Sequence, residues 1–121
     1  MSCSVIAFSN QKGGVGKTTT TVNITAALKN LGKRVLLCDF DPQANATSGM
    51  GVDKNTASPN VYDVLISGAD PHKAVVETKY GDVLPSNKAL AGAGIEMIAL
   101  EDREHLLKRA LDTLAPNYDY I

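Results

Sequence analysis

The octet from Lys12 to Thr19 has residue types suited to holding phosphate, and its sequence is Lys-Gly-Gly-Val-Gly-Lys-Thr-Thr. Glycines at 13, 14 and 16 let the backbone turn its N–H groups inward, where a Cβ would obstruct them. A helix that starts here would direct the positive end of its dipole at the same point. Lys17 adds a charge for the β- and γ-phosphates, and Thr18 adds a hydroxyl suited to Mg²⁺. The octet therefore predicts a nucleotide-binding loop.

A second candidate group is the pair Asp39 and Asp41, which directly follows a predicted buried strand. Ligands of open α/β sheets bind at this carboxyl edge. Two carboxylates that face the phosphates would orient a Mg²⁺-bound water and the attacking water, and Asp39 is a candidate metal residue through a water. The alternative is that both aspartates only cap a turn ahead of Pro42. Beside a phosphate loop, we favour the functional interpretation.

The elements that would position these groups are a strand, a helix and a second strand. Ser4–Ser9 and Arg34–Cys38 are short apolar runs typical of buried parallel strands. Between them, apolar residues at helical spacing predict a helix that stops at Gly32: Ile24, Ala27, Leu28 and Leu31. A right-handed βαβ unit is the expected topology.

The rest of the chain continues the alternation of helices and strands. The pattern predicts a short helix around Val61–Leu65 that is closed by Gly68, and a strand near Asp82–Leu84. A helix over 88–98 is weakened by two glycines, whereas Glu101–Leu114 has a clear apolar face. Tyr118–Ile121 has the character of a strand that has just begun.

The phosphate loop departs from the usual P-loop pattern, because Gln11 occupies the place of its first glycine and a second lysine, Lys12, follows. This form resembles the deviant P-loop of the ParA/MinD family of ATPases. The run from Ser9 to Gly51, with Asp41-Pro42-Gln43-Ala44-Asn45 in register, is similar to the amino-terminal part of the ParA/Soj partitioning ATPases. Two separated motifs in register make the resemblance specific.

The resemblance implies an α/β P-loop NTPase fold with a mostly parallel sheet and flanking helices. It also implies roles for single residues within the phosphate-binding octet: Lys17 contacts the phosphates, Thr18 ligates Mg²⁺ and Thr19 touches the α-phosphate. Asp41 would position the hydrolytic water, and Lys12 would reach across a dimer to the partner's ATP. A cation supplied in this way can raise a phosphoryl-transfer rate by ~10³–10⁵.

The function implied by the resemblance is ATP hydrolysis that drives chromosome or plasmid partitioning, with ATP and Mg²⁺ as cofactors. The implied partners are a second copy in an ATP-bound homodimer, a ParB-like protein and nonspecific DNA. Two other classes stay open: a noncatalytic nucleotide- or phosphate-binding fragment, and an oligomer-forming remnant. A MinD-like cell-division role is a further alternative. No cysteine follows Cys38, which argues against the cluster of the related nitrogenase iron protein.

Composition places few further limits on function. With 44% hydrophobic and 21% charged residues, the chain has the composition of an ordinary globular domain. Twelve basic and 13 acidic residues give a net charge of −1, so no bulk positive field favours nucleic acid. The sequence shows no apolar membrane span and no leader, which predicts a cytoplasmic protein with reduced Cys3 and Cys38. His72 and His105 are expected at the surface.

The length of 121 residues is short for the family's domain. We expect residues 1–121 to be the amino-terminal part of a single P-loop ATPase domain that lacks the Walker B strand, since Asp119 precedes the final apolar run and cannot replace the Walker B aspartate. A truncated sheet would expose an unpaired edge, which predicts self-association.

Overall fold

The structure is a computed structural model that describes residues 3–8, 17–41, 43–87 and 100–121. Its central sheet has three strands, β1 (Leu36–Cys38), β2 (Val76–Thr78) and β3 (Gly81–Leu84), in the order β1-β3-β2. β1 and β3 are parallel, with Leu37 opposite Val83, whereas β2 runs antiparallel to β3. The predicted strands at 34–38 and 82–84 are therefore confirmed, and they are direct neighbours.

Tyr120 extends the sheet on the other side of β1 through parallel bridges to Ser4 and Val35. The Ile121 N–H donates to the Ser4 carbonyl at 2.9 Å, and the Leu36 N–H donates to the Tyr120 carbonyl at 3.0 Å. The terminal segment thus pairs as a strand would, in agreement with prediction. It lies between the two strands of the predicted βαβ unit, which are consequently not neighbours.

The predicted buried strand over Ser4–Ser9 is wrong in its burial. Within the described residues 3–8, only Ser4 forms a sheet bridge, and the side chains of Val5 and Ile6 are 57% and 48% exposed. The physical reason is that the segment pairs along one side only: Ser4 and Ile6 donate to Asp119 and Ile121. No described strand pairs with its other side.

The first helix, α1, spans Lys17–Asn30, and Gly32 follows it with a φ of 82°. The predicted stop is confirmed, because glycine adopts this left-handed conformation without a Cβ penalty. The apolar residues at helical spacing do not form its buried face, since Ile24 is 37% and Leu31 is 73% exposed. The helix instead packs Val22 against the core and buries Thr25, whose methyl group lies at Gly81.

Within the described ranges, four further helices flank the sheet: α2 (Asn45–Gly49), α3 (Val61–Ser67), α4 (Pro71–Ala74) and α5 (Leu100–Leu114). A 3-10 turn over Ala115–Asn117 follows α5. The predicted helices at 61–65 and 101–114 are confirmed, and the helix predicted over 88–98 lies outside the described residues. None of the described helices combines the length and the apolar character needed to cross a bilayer.

The core occupies both faces of the sheet, as alternating side chains require. On one face, Leu36 and Leu84 pack with residues of α3 and α5: Val61, Tyr62, Leu65, Ala110 and Leu114. On the other face, Leu37 and Val83 pack with Met50, and Val22 of α1 lies against them. This two-sided core fixes the carboxyl ends of β1 and β3 side by side.

Candidate nucleotide site

The amino terminus of α1 lies where the sequence predicts the phosphate loop to end. The helix begins at Lys17, so Lys17 and Thr18 occupy its first turn, and Thr19 is exposed there. The loop residues Lys12, Gly13, Gly14, Val15 and Gly16 lie outside the described residues, as do the side chains of Lys17 and Thr18. Their proposed contacts therefore remain predictions.

Asp39 follows β1 directly and is only 3% exposed. Its backbone N–H donates to the Leu84 carbonyl at 3.0 Å, which continues the pairing of β1 with β3. Its Oδ1 accepts from the Asp41 N–H at 3.0 Å, and its Oδ2 accepts from Thr47 N–H at 2.9 Å and Thr47 Oγ1 at 2.6 Å. Asp39 therefore ties the end of β1 to helix α2.

The pKa of Asp39 lies above its ordinary value because burial disfavours the charged carboxylate. The hydrogen bonds from Thr47 and Asp41 act in the opposite direction, since they stabilise the carboxylate, and the nearby charge of Asp41 adds to the increase. A cation at this end of the sheet would offset the free-energy cost of burying the charged Asp39 carboxylate. The donor set of carboxylates and hydroxyls is that of a hard cation such as Mg²⁺.

Asp41 is half-buried, and its Oδ1 accepts from the Gln43 N–H at 3.0 Å. This is the turn-capping contact that the alternative interpretation predicts, but it uses one oxygen only. Among the described residues, no hydrogen-bond partner is found for the other oxygen, Oδ2. The turn ends at Ala44, which is fully buried with a φ of 55°. A left-handed alanine costs about 1–2 kcal/mol, so the surrounding contacts hold this turn in a defined conformation.

Thr47 and Ser86 are two hydroxyl residues of this site whose roles were not predicted from the sequence. Ser86, at the end of β3, donates from its N–H to Thr47 Oγ1 at 2.9 Å, and its Oγ donates to the Asp41 carbonyl at 3.0 Å. The Tyr62 hydroxyl lies 3.3 Å from the same Oγ. For Ser86, the only signal in the sequence was its position just past the carboxyl end of a predicted strand.

A cavity of about 390 Å³ joins α1 to the aspartate turn. Thr21 and Thr25 of α1 line it together with Asp39 and Asp41, and the exposed apolar residues from Val5 to Phe8 form another part of its wall. The structure thus brings the predicted carboxylates and the middle of α1 to one space, whose wall also includes Leu107 and Leu111 of α5. A cavity of this size is in the range of small-molecule sites.

The two cysteines and the two histidines all lie within the described residues. Cys3 and Cys38 are free thiols, and burial, with the Asp39 charge adding to it, raises the pKa of Cys38 to about 12. His72 and His105 are exposed, as predicted. Across the described residues, no group of three or more His, Cys, Asp or Glu side chains is arranged to hold a metal ion.

Asp119 pairs with Arg34, away from the aspartate turn. The Arg34 guanidinium contacts the Asp119 carboxylate at 3.1 Å, and the Arg34 N–H donates to it at 2.9 Å. These hydrogen bonds lower the pKa of Asp119.

Comparison with known proteins agrees with this fold. A family model described as an AAA domain matches residues 3–121. The sporulation initiation inhibitor protein Soj of Bacillus subtilis is 52% identical over 119 residues, which are 97% of this chain and 47% of Soj. The chromosome partitioning protein ParA of Myxococcus xanthus is 41% identical over 119 residues, 97% of this chain and 42% of that protein. The chain thus spans about half the length of these curated relatives.

A solved structure shares the architecture closely. Cobyrinic acid a,c-diamide synthase from Mycobacterium smegmatis, crystallised with a bound ATP analog and magnesium, superposes with a TM-score of 0.85 at 45% identity. The match covers 98% of this chain and 49% of that one. The fold is that of an α/β P-loop NTPase. The chain belongs to the AAA domain family and, within it, to the ParA/Soj group of partitioning ATPases that its motifs resemble.

Proposed function

We propose that this chain binds Mg²⁺-ATP and hydrolyses ATP to ADP and phosphate, and that the reaction drives the partitioning of a chromosome or plasmid in the cytoplasm. In this proposal, residues 1–121 are the amino-terminal part of one P-loop ATPase domain. The observation that carries the proposal is the shared cavity, which Thr21 of α1 and the two aspartates line together. Relatives named for partitioning and a solved neighbour with an ATP analog and magnesium support it.

Each predicted residue has a defined task in this reaction. The backbone of Gly13, Gly14, Val15 and Gly16 would cradle the phosphates, with Lys17 as the charge and Thr19 at the α-phosphate. Thr18 would ligate Mg²⁺ and Asp39 would reach it through a water. Bound Mg²⁺ would neutralise charge that develops on the transferred phosphoryl group. Asp41 would orient the attacking water through the carboxylate oxygen that the turn leaves available.

The proposed homodimer depends on Lys12. We assign to Lys12 a contact with the partner's ATP in a nucleotide-bound homodimer, where it would add positive charge to the partner's site. A ParB-like protein and nonspecific DNA are the further partners in this proposal. They are supported by resemblance and by the names of relatives, since the chain itself carries a net charge of −1.

The test is phosphate release from Mg²⁺-ATP by the 121-residue chain, with calorimetric binding measured in parallel. Asp41→Ala should lose turnover and keep ATP binding, whereas Asp53→Ala, an exposed turn aspartate with the equivalent contact to Asn55 N–H, should keep both. Unchanged turnover in Asp41→Ala would reject the assigned role. Saturable binding without turnover in the wild-type chain would favour the noncatalytic nucleotide-binding alternative.

Lys12→Ala tests the dimer. If Lys12 acts in the partner's site, its loss should lower turnover by ~10³–10⁵, and turnover per wild-type chain should rise with chain concentration. Turnover that is independent of concentration and insensitive to Lys12→Ala would contradict the dimeric mechanism.

A further inference from the structure

A buried hydrogen-bond network links three separate chain segments at the candidate site. It joins Asp39 at the end of β1, Thr47 in α2 and Ser86 just after β3. Thr47 and Ser86 are both 0% exposed. Because buried polar groups are costly unless they are hydrogen-bonded, a satisfied network of this kind favours one arrangement of its members.

The network holds the backbone of Asp41 at both of its polar groups. The Asp41 N–H donates to Asp39 Oδ1 at 3.0 Å, and the Asp41 carbonyl accepts from Ser86 Oγ at 3.0 Å. Asp39 is itself held by Thr47 through two hydrogen bonds. The position of the Asp41 backbone is therefore set in part by Ser86, which lies 45 positions away in the sequence.

The Ser86 hydroxyl has one proton and two oxygen neighbours, the Asp41 carbonyl and the Tyr62 hydroxyl. A carbonyl can only accept, so the serine proton serves Asp41, and the Tyr62 hydroxyl at 3.3 Å can donate to Ser86 Oγ. Tyr62 is anchored in the core on α3. The serine thus connects the Asp41 turn to the packed face of the sheet.

We propose that Ser86 and Thr47 are positioning residues that fix the Asp41 carboxylate for water activation. The inference rests on the proposed ATPase function. A group misplaced by 1 Å can cost on the order of 100-fold in rate. Neither residue is assigned a contact with nucleotide, so loss of either hydroxyl should reduce kcat and leave the KM for Mg²⁺-ATP unchanged.

The experiment measures kcat, KM and calorimetric Mg²⁺-ATP affinity in the 121-residue chain and its variants. Ser86→Ala should lower kcat by about 10- to 100-fold without weakening nucleotide binding. Thr47→Val keeps the side-chain shape and removes the hydroxyl, so its kcat should also fall, whereas Thr47→Ser keeps the hydroxyl and should retain most of the turnover. Ser48→Ala, at the exposed neighbour in α2, is the matched control and should behave as wild type.

The outcomes separate the inference from the function on which it rests. If Asp41→Ala abolishes turnover while Ser86→Ala and Thr47→Val keep the wild-type kcat, the positioning role is wrong and the function stands. If wild-type turnover is absent or insensitive to Asp41→Ala, the proposed function is wrong and the positioning role falls with it. Should Thr47→Val fail to fold, Ser86→Ala decides alone, because it removes one hydroxyl and keeps the backbone bond to Thr47.

Discussion

Two regions of the molecule contain equally apolar residues and bury them very differently. The closed side consists of β1 and β3 with the covering helices α3 and α5, where Leu36 and Leu84 are 1% and 0% exposed. The open side consists of residues 5–8 and the outward residues of α1, where Val5 is 57% and Leu31 is 73% exposed. Apolar character is therefore not the difference between them. The difference is whether a second element lies within reach to cover the side chains.

The largest expected effect comes from truncating a side chain on the closed side. Leu84→Ala should lower the free energy of unfolding by about 2–5 kcal/mol, since a fully buried leucine leaves a cavity. Leu31→Ala, the same change on the open side, should cost less than about 0.5 kcal/mol. Urea denaturation measures both. Equal losses in the two variants would show that the two sides are not different in packing.

The two cysteines allow the effect of burial to be tested through the reactivity of their thiols. Burial raises the pKa of Cys38, next to the closed side, from an ordinary value of 9.0 to about 12, so little thiolate exists near pH 8. Both cysteines are partly buried, and burial raises the pKa of Cys3 as well. Iodoacetamide should modify Cys38 much more slowly than a free thiol, because the thiolate is the reactive form, and urea should remove the difference. Modification of Cys38 at the rate of a free thiol in the folded chain would contradict its raised pKa.

The raised pKa of Cys38 also predicts how the free energy of unfolding depends on pH. A thiol whose folded pKa is raised stabilises the fold below its unfolded pKa and loses that contribution as the pH rises toward the folded value. The free energy of unfolding should therefore fall between about pH 9 and pH 12. Cys38→Ser should reduce that fall, and Cys3→Ser serves as the comparison. An identical alkaline profile in Cys38→Ser would assign the loss of stability to other groups.

A smaller effect is expected from the cap of α3 on the closed side. Asn60 is fully buried, and its side chain accepts from Tyr62 N–H and Asp63 N–H within a capping box. Asn60→Ala should cost about 1–2 kcal/mol. Asp70→Ala, at the exposed cap of the short helix α4, should cost less. Thermal unfolding of both variants measures the two losses of stability. A larger loss in Asp70→Ala than in Asn60→Ala would contradict the expected difference between the two caps.

The smallest effect on folding is expected on the open side, where the consequence should instead be association. We expect the chain to self-associate through its exposed apolar edge. Val5→Lys should change the free energy of unfolding by less than about 0.5 kcal/mol and should reduce the oligomer in light scattering. A compact monomer at all wild-type concentrations would remove this prediction.

Sequence reasoning succeeded where the signals are local. The helix around Val61–Leu65 was predicted with a stop at Gly68, and Gly68 is its C-cap in the structure. Periodicity does not reveal which face of α1 is buried, because Val22 and Thr25 face the core in place of the more apolar residues at helical spacing. Only the position of β3 and Gly81 decides between the two faces.

In the candidate site, too, local features were predictable from the sequence and contacts between distant segments were not. The placement of Asp39 and Asp41 at the carboxyl end of β1 follows from a general rule for open sheets, and it was predictable. The roles of Thr47 and Ser86 depend on contacts between segments that are far apart in sequence, which no local pattern shows. Even on a helix surface, Lys108 has acidic residues four positions away on both sides, Glu104 and Asp112, and the structure has the contact with Asp112 at 2.9 Å. Such exposed pairs differ by only a few tenths of a kcal/mol.

The most direct test of the central claim is titration calorimetry of Mg²⁺-ATP into the 121-residue chain. The account predicts saturable binding that is lost in Lys17→Ala and kept in Lys33→Ala, an exposed lysine beyond the end of α1. No binding by the wild-type chain, or equal binding by Lys17→Ala, would contradict the assignment of this loop and cavity as a nucleotide site.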